Sequence, residues 1–180
     1  MIARKSVDIK KALSLLDKEL VMKKFNVELI ICGGAALILM GIVSRETVDV
    51  DVITKLIPDA VLEAAKVVAK KLKYPEDWLN NKASPILDRL PVNWEDHLIT
   101  VFTGKAVTIK SISRQDLISA KLHAAVDRKA ADYDDILDLN PTVLELDRAR
   151  DYCLRLAQHE TYEIWVNGYV KLLKKDLGIA

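Results

Sequence analysis

The feature that most constrains the fold of this chain is the alternating segment TVDVDVIT at residues 47–54. Alternate side chains of a β-strand point to the same face at a rise of about 3.3 Å per residue, so a strand here places Asp49 and Asp51 together, about 7 Å apart at their Cα atoms. Two carboxylates on one face repel each other unless a cation lies between them. The segment therefore predicts a strand with a negatively charged face. A solvated edge strand is the simpler alternative, because charged residues commonly protect sheet edges.

The segments around this strand predict a small sheet flanked by helices. Residues 8–24 carry apolar residues at helical spacing, which is typical of an amphipathic helix. The apolar run at residues 27–32 predicts a buried strand followed by a short apolar helix, and another helix is predicted from Pro58 onward. The proline-rich residues 74–96 predict an irregular segment. The runs HLITVF and AVTIK, which residues 103–105 separate, predict a hairpin.

The C-terminal third of the chain predicts helices. Ser113 followed by Asp116 resembles an N-cap pair, and the pattern then stays helical to the end with one break near residue 140. Together these elements predict an α+β fold, with a mixed sheet of about four strands and a C-terminal helical bundle. We expect residues 1–112 to form the α/β core and residues 113–180 the helical region, packed on each other as one compact unit.

Composition excludes several functional classes. The 27 Lys and Arg residues balance 26 Asp and Glu residues, so the chain lacks the excess positive charge that attracts nucleic acids or acidic membranes. The N-terminus does not resemble a signal peptide and no apolar run is long enough to cross a membrane, which predicts a cytoplasmic protein. Cys32 and Cys153 are far apart and outside any metal-binding motif, so we expect both to be buried thiols.

A glycine pair precedes the acidic segment and adds a candidate phosphate-binding site to it. Gly33 and Gly34 follow the buried strand and precede the short helix, where backbone N–H groups can bind a phosphate. Asp49 and Asp51 supply the oxygen ligands that Mg²⁺ prefers when it bridges to a substrate phosphate. Either fragment alone usually has only a structural role, as a turn or as an edge strand. Their combination predicts a phosphate site beside a metal site.

The combination resembles the signature of the DNA polymerase β-like nucleotidyltransferase superfamily. That signature is a glycine pair, a spacer and two acidic residues flanking an apolar one, here Gly33-Gly34, residues 35–48 and Asp49-Val-Asp51. The spacer is at or beyond the long end of the usual range. The resemblance implies the superfamily fold, an NTP substrate and Mg²⁺ or Mn²⁺ bound by the two aspartates.

A narrower resemblance rests on Arg45-x-Thr47-x-Asp49, which is similar to the minimal nucleotidyltransferases of bacteria, including abortive-infection toxins of toxin–antitoxin pairs. It extends to DLISAKLHAAVDRKAADYDDILDL, in which Lys121 corresponds to a catalytic residue of those enzymes. The resemblance covers most of the chain. It implies that the nucleotide is bound by Gly33, Gly34, Arg45, Thr47, Arg128, Asp132 and Asp135.

Helical geometry is consistent with the downstream motif. Lys121, Arg128, Asp132 and Asp135 share one face if their helix is continuous, because they are separated by multiples of about one turn. On that geometry Lys121 reaches a triphosphate, while Arg128 pairs with Asp132. The alternative is a salt-bridged helix surface, which is the commoner explanation for such a pattern in isolation.

The sequence departs from the superfamily pattern at the third carboxylate, which a neighbouring strand normally supplies. The two hairpin strands contain no acid, so Glu95, Asp96 and Asp116 remain candidate replacements. The first hypothesis is therefore a Mg²⁺-dependent transfer of a nucleotidyl group to an RNA or protein acceptor. The alternative is a catalytically degenerate module that binds a nucleotide or a partner.

Two further expectations concern aromatic residues and partners. Trp78 can stack a base, although burial in a core is the commoner role of a single tryptophan. The terminal helix carries Trp165 and Leu172 at a spacing that suits either the core or a homodimer surface. An antitoxin is the other candidate protein partner, and no membrane partner is expected.

Overall fold

The computed structural model describes residues 8–44, 47–54, 56–91, 93–128 and 131–179, without the side chains of residues 88, 89, 127, 128 and 131. The chain divides into two compact units. One is drawn from residues 1–88 and 95–112, and the other from residues 89–94 and 113–180. None of the helices formed by the described residues is both long and apolar enough to cross a membrane.

The first unit is built on a mixed sheet, to which the described residues contribute five strands: β1 (Val27–Cys32), β2 (Val50–Val52), β3 (Leu79–Asn80), β4 (Ile99–Thr103) and β5 (Val107–Ser111). The strand order is β3-β2-β1-β5-β4. Strand β1 runs parallel to β5 and antiparallel to β2, while β3 is parallel to β2 and β4 antiparallel to β5. This confirms the predicted α+β class and the hairpin, and it adds one strand to the predicted number.

Three helices accompany this sheet: α1 (Ile9–Met22), α2 (Gly33–Leu39) and α3 (Asp59–Leu72). Helices α1 and α3 pack against each other, because each buries one apolar stripe and exposes its lysines. The predicted amphipathic helix near the N-terminus is thereby confirmed. Its buried stripe consists of Ile9, Ala12, Leu13, Leu16 and Leu20.

The acidic strand is shorter than the sequence predicts. Alternation continues over residues 47–54, but β2 spans only Val50–Val52, and Thr47 forms an isolated bridge. Val50 and Val52 are fully buried, whereas Val48 is 36% exposed. The alternation of burial therefore holds only where β2 has a neighbour on each side, β1 and β3.

The additional strand, β3, lies within residues 74–96, which were predicted to be irregular. Strand β3 pairs with β2, and the backbone N–H of Val50 donates to the carbonyl of Trp78 at 2.6 Å. Trp78 is fully buried and its Nε1 donates to the carbonyl of Ala65 at 3.0 Å. It therefore packs in the core and is not available to stack a base. Two 3-10 helices, Ser84–Arg89 and Trp94–His97, follow in the same segment.

The second unit consists of helices α4 (Arg114–Arg128), α5 (Ala131–Leu139), α6 (Val143–Arg155) and α7 (Glu160–Asp176). Helix α4 packs against each of the other three. The expectation of a single break near residue 140 is wrong. The chain is also non-helical just before α7, where His159 forms the N-cap and its Nδ1 accepts from the backbone N–H of Tyr162 at 3.1 Å.

Cys32 and Cys153 are both buried, as expected, and they form no disulfide.

A carboxylate of α1 holds the hairpin turn in place. Asp17 Oδ1 accepts from the backbone N–H groups of Ala106 at 2.7 Å and Val107 at 3.0 Å. A Cβ on Gly104 would lie less than 2.5 Å from the Asp17 carboxylate, so only glycine leaves room for it. Burial raises the pKa of Asp17, but the N–H groups of the turn lower it more, and the net pKa lies below the usual 3.8.

We predict that Gly104→Ala destabilises the protein by about 2 kcal/mol, because its Cβ displaces a charged hydrogen-bond acceptor from two buried donors. Gly41→Ala is the control: Gly41 has a φ of 73°, which disfavours a side chain, but a Cβ there meets nothing within 4 Å. It should cost only about 1 kcal/mol. Urea unfolding followed by circular dichroism measures both.

The low pKa of Asp17 gives this difference a pH dependence. The stabilisation is present above the unfolded-state pKa and is lost as the pH falls through the lower folded-state pKa. The two glycine variants should therefore converge in stability only in strong acid. Equal stability losses at neutral pH would contradict the steric role of Gly104.

Candidate active site

The site begins where β1 ends. Strands β1 and β2 are antiparallel, and their register places Cys32 opposite Asp51. The next residue, Gly33, has a φ of 71°, which L side chains rarely adopt. A Cβ built on Gly33 would lie 3.4 Å from Oδ2 of Asp51. The glycine pair and the acidic strand are thus neighbours, and the space that a Gly33 side chain would occupy lies beside the Asp51 carboxylate.

Helix α2 starts at Gly33 itself, so the glycine pair forms its first turn. Cys32 is the N-cap and makes no side-chain capping bond. The first N–H groups of any helix lack intrahelical acceptors and point outward along its axis. Ala35 and Ala36 are buried in the second half of this turn, which fixes the helix against the core. The positions of Gly33 and Gly34 are therefore set by packing rather than by a flexible loop.

The two aspartates flank a buried residue. Val50 is fully buried, while Asp49 and Asp51 are both half-buried. The hydroxyl of Thr47 donates to the backbone carbonyl of Asp49 at 3.2 Å, which orders the approach to β2. Thr47 thus has a local structural contact of its own.

The carboxylates of Asp49 and Asp51 are suitable ligands for one divalent cation. Carboxylate oxygens are the ligands that Mg²⁺ prefers, and Mg²⁺ is commonly held by one or two carboxylates with substrate phosphate and water completing its shell. The absent side chain of Gly33 leaves the space beside Asp51 Oδ2 that a phosphate oxygen or a cation needs. Among the described residues, no group of three or more His, Cys, Asp or Glu side chains is placed to hold a metal ion.

Sequence reasoning missed a polar neighbour of Asp51. The parallel β2–β3 register pairs Asp51 with Asn80, so both side chains belong to the same face of the sheet. Asn80 is 8% exposed. Its Oδ1 accepts from the backbone N–H of Lys82 at 2.9 Å, and its Nδ2 donates to the carbonyl of Asp77 at 3.3 Å. Asn80 therefore fixes the loop that follows β3, beside the acidic strand.

The candidate replacements for a third carboxylate are Glu95, Asp96 and Asp116, which lie in a 3-10 helix and at the start of α4. Glu95 and Asp96 are exposed in the 3-10 helix Trp94–His97. Asp116 is buried, and its carboxylate accepts from the hydroxyl of Ser113 at 2.6 Å. The backbone N–H of Asp116 donates back to the same hydroxyl at 3.1 Å, which confirms the predicted N-cap pair.

A second charged cluster lies within the helical unit. The ammonium of Lys121 on α4 contacts Asp132 Oδ1 at 2.7 Å and Asp135 Oδ2 at 2.6 Å, both on α5. The Lys121, Asp132 and Asp135 side chains are only 15%, 12% and 2% exposed. The cluster is therefore buried and does not match the alternative of a solvated salt-bridged surface.

The shared helix face required one continuous helix, and this condition is not met. Along one helix Lys121 and Asp132 would be about 16 Å apart, too far for an ion pair. They meet because α4 and α5 are separate helices that pack against each other. The expected pairing of Arg128 with Asp132 falls on a side chain outside the described set, and Arg45 also lies outside the described residues.

The charge of Lys121 is maintained inside the cluster. Burial alone would lower the pKa of Lys121, but its hydrogen bonds and charge interactions with Asp132 and Asp135 raise it above the usual 10.5. A buried ammonium flanked by two carboxylates is held rigidly and stays protonated at neutral pH.

We predict that Lys121→Met destabilises the protein by about 3 kcal/mol or more, because it removes the ammonium that contacts two buried carboxylates. Adding Asp135→Asn should recover part of the loss. Lys82→Met is the matched control, since its 2.6 Å pair with Asp77 is exposed, and it should cost less than about 1 kcal/mol. Thermal and urea unfolding give the comparison.

The pH dependence of this cluster follows from the raised pKa of Lys121. Its stabilisation is complete below the unfolded-state pKa near 10.5 and is lost as the pH rises through the higher folded-state pKa. A Lys121→Met variant as stable as the Lys82→Met control would show that the buried cluster does not stabilise the fold.

Comparison with protein families identifies a family that covers most of the chain. A family model described as a nucleotidyltransferase of unknown function (DUF6036) matches residues 8–158. The matched residues include the Asp49–Asp51 pair and the cluster of Lys121 with Asp132 and Asp135, and they end before α7. No curated protein and no solved structure matches the chain.

Proposed function

Because this chain belongs to the nucleotidyltransferase family DUF6036, we propose that it transfers a nucleotidyl group from an NTP to an RNA or protein acceptor, with Mg²⁺ or Mn²⁺. The observation that carries the proposal is the position of Gly33 beside Asp51, where a Cβ would come within 3.4 Å of Asp51 Oδ2. A residue without a side chain next to a carboxylate, at the start of a helix, suits a phosphate beside a metal ion.

In this proposal the first unit binds the reacting end of the NTP. Asp49 and Asp51 hold the metal, and Gly33 and Gly34 bind the phosphates through backbone N–H groups. When bound, the metal neutralises phosphate charge and orients the triphosphate. The oxygen of an acceptor hydroxyl forms a bond to the α-phosphorus and its proton passes to water, while the bond from the α-phosphorus to the bridging oxygen breaks and pyrophosphate leaves. The order around Val50 and the contact of Thr47 with the Asp49 carbonyl support a preformed site.

Residues of the helical unit enter the proposal through the resemblance. Lys121 is proposed as a catalytic residue that carries positive charge, and its raised pKa supports a permanently charged ammonium. Asp132 and Asp135 are proposed to position Lys121. Arg45 and Arg128 are proposed to neutralise phosphate charge, as guanidinium groups do well.

The physiological setting is a further part of the proposal. The Arg45-x-Thr47-x-Asp49 form supports a toxin-type enzyme whose activity an antitoxin restrains. A second candidate function is a nucleotide-binding module without catalysis. One observation favours it: within the described part of the chain no third acidic or histidine ligand joins a metal-binding group.

We predict that purified protein incorporates label from an α-labelled NTP into an RNA or protein pool in the presence of Mg²⁺ or Mn²⁺. Asp49→Ala and Asp51→Ala should each lower incorporation at least about a hundredfold, because charge stabilisation at the reacting phosphate is lost. Asp59→Asn, an exposed acid in the first turn of α3, is the control and should retain activity.

Binding data separate the two candidate functions. Metal-dependent NTP binding without incorporation into any acceptor, measured by calorimetry, would support the module without catalysis. Incorporation that persists in both aspartate variants would overturn the assignment of the metal site.

We also predict that Asn80→Asp raises the affinity for Mg²⁺ or Mn²⁺ several-fold, because it adds a carboxylate on the face that carries Asp51. Asp at this position retains an oxygen that can accept from the N–H of Lys82. Asn80→Ala is the control and should not raise the affinity. Mn²⁺ titration followed by electron paramagnetic resonance measures both, and equal affinities would place residue 80 away from the cation.

A further inference from the structure

The two faces of the sheet differ in burial at β1 and β5. On β1, Leu29 and Ile31 are buried on one face, whereas Glu28 is exposed and Ile30 half-buried on the other. Strand β5 shows the same alternation, and its Lys110 is half-buried on the face of Ile30. This second face is therefore partly open, and we call it the open face.

The candidate active site belongs to the open face. Asp51 lies opposite Cys32, two residues after Ile30, and Lys110 lies beside Ile30. Paired residues of neighbouring strands and alternate residues of one strand direct their side chains to the same face, so Asp51, Ile30 and Lys110 share it. Two strand spacings and two residues along the strand separate the Cα atoms of Asp51 and Lys110 by about 12 Å. A single nucleotide spans a comparable length from its phosphate to the pairing edge of its base.

An ion pair lies at the far end of this span. The ammonium of Lys110 is 2.9 Å from Glu28 Oε2, and the two side chains are 31% and 48% exposed. Among the described residues of the five strands, these two and Asp51 are the charged residues of the open face. An ion pair this exposed contributes little to stability. Both partners retain hydrogen-bonding capacity beyond their mutual contact, because an ammonium has three N–H groups and a carboxylate has two oxygens.

The ion pair presents a defined order of hydrogen-bonding groups. An N–H of Lys110 is followed by the two oxygens of Glu28, which gives one donor and then two acceptors. The pairing edge of guanine has the complementary order, with the O6 acceptor followed by the N1–H and N2–H donors. Uracil would place its O2 against a carboxylate oxygen, and adenine and cytosine each offer the carboxylate a single donor group. Guanine therefore matches the pair best among the four bases of RNA.

We propose that Glu28 and Lys110 recognise a guanine base whose nucleotide reacts beside Asp51. The inference rests on the proposed function, since that function places the reacting phosphate at Asp51. Lys110 donates to O6, Glu28 accepts from N1–H and N2–H, and Ile30 offers apolar surface to the ribose between them. The guanine belongs either to the NTP or to the 3′-terminal nucleotide of an RNA acceptor.

The first arm of the test measures NTP binding by calorimetry, with Mg²⁺ and without an acceptor. If the base is that of the NTP, GTP should bind at least about tenfold more tightly than ATP, CTP or UTP, because paired hydrogen bonds to a base edge discriminate by about this factor. Inosine triphosphate, which lacks the 2-amino group of GTP, should bind several-fold more weakly than GTP, because Glu28 then has one donor fewer.

The second arm measures binding of short labelled RNAs by fluorescence anisotropy. The RNAs differ only at the 3′-terminal base, which is guanine, hypoxanthine, adenine, cytosine or uracil. If the base is that of the acceptor, the preference for guanine appears among these RNAs and the NTPs bind alike. The two arms thus identify the source of the guanine.

Substitutions test the assignment of the two side chains. Glu28→Gln should remove the preference for guanine over hypoxanthine, because an amide has one acceptor oxygen where the carboxylate has two. Lys110→Met should weaken guanine binding at least about tenfold. Glu63→Gln is the matched control, since Glu63 forms a 2.8 Å ion pair with Lys23 on the helices α1 and α3, and it should keep the full preference. Circular dichroism verifies that all three variants remain folded.

Equal affinities for all bases in both arms would overturn the proposal, as would a preference for guanine that Glu28→Gln leaves unchanged. NTP binding that requires Asp51 but shows no base preference in either arm would overturn this inference and leave the proposed function intact. Failure to bind any NTP or RNA would overturn both.

Discussion

The close approach of Gly33 to the Asp51 carboxylate is the constraint on which the site depends. It requires an antiparallel β1–β2 pair with Cys32 opposite Asp51, and a left-handed backbone at the residue that follows. It also requires α2 to start at once, held by its buried alanines. A side chain at residue 33 would fill the space beside Asp51 Oδ2, since even a Cβ reaches 3.4 Å. The sheet, the turn and the helix therefore position one small volume beside a carboxylate.

Two pairs of aspartates in this chain differ in burial. Asp132 and Asp135 are buried and share the ammonium of Lys121, which is 2.7 and 2.6 Å from them. This shared ion pair offsets part of the cost of burying the two carboxylates. Asp49 and Asp51 flank a buried valine and are themselves only half-buried. Their greater exposure supports the proposed ligand-binding role, and the burial of Asp132 and Asp135 supports a structural role.

Elements long enough to show a regular spacing of apolar residues could be predicted from the sequence. The stripe of α1 and the hairpin strands carry enough positions to define their periods, and Ser113 with Asp116 marks a helix start by local chemistry. Strand β3 could not be predicted, since two residues cannot show a period and its pairing partner is distant in sequence. For the same reason the sequence could not predict Asn80 as the neighbour of Asp51. The meeting of Lys121 with α5 depends on packing between helices, which periodicity along one helix cannot indicate.

The most direct test of the account is the position of the metal in the NTP-bound protein. Anomalous diffraction from crystals grown with Mn²⁺ and a non-hydrolysable NTP analogue locates that ion without ambiguity. The account predicts one Mn²⁺ peak within ligand distance of Asp49 and Asp51, with a phosphate oxygen beside the backbone of Gly33. An analogue bound elsewhere, or Mn²⁺ bound away from these carboxylates, would contradict it.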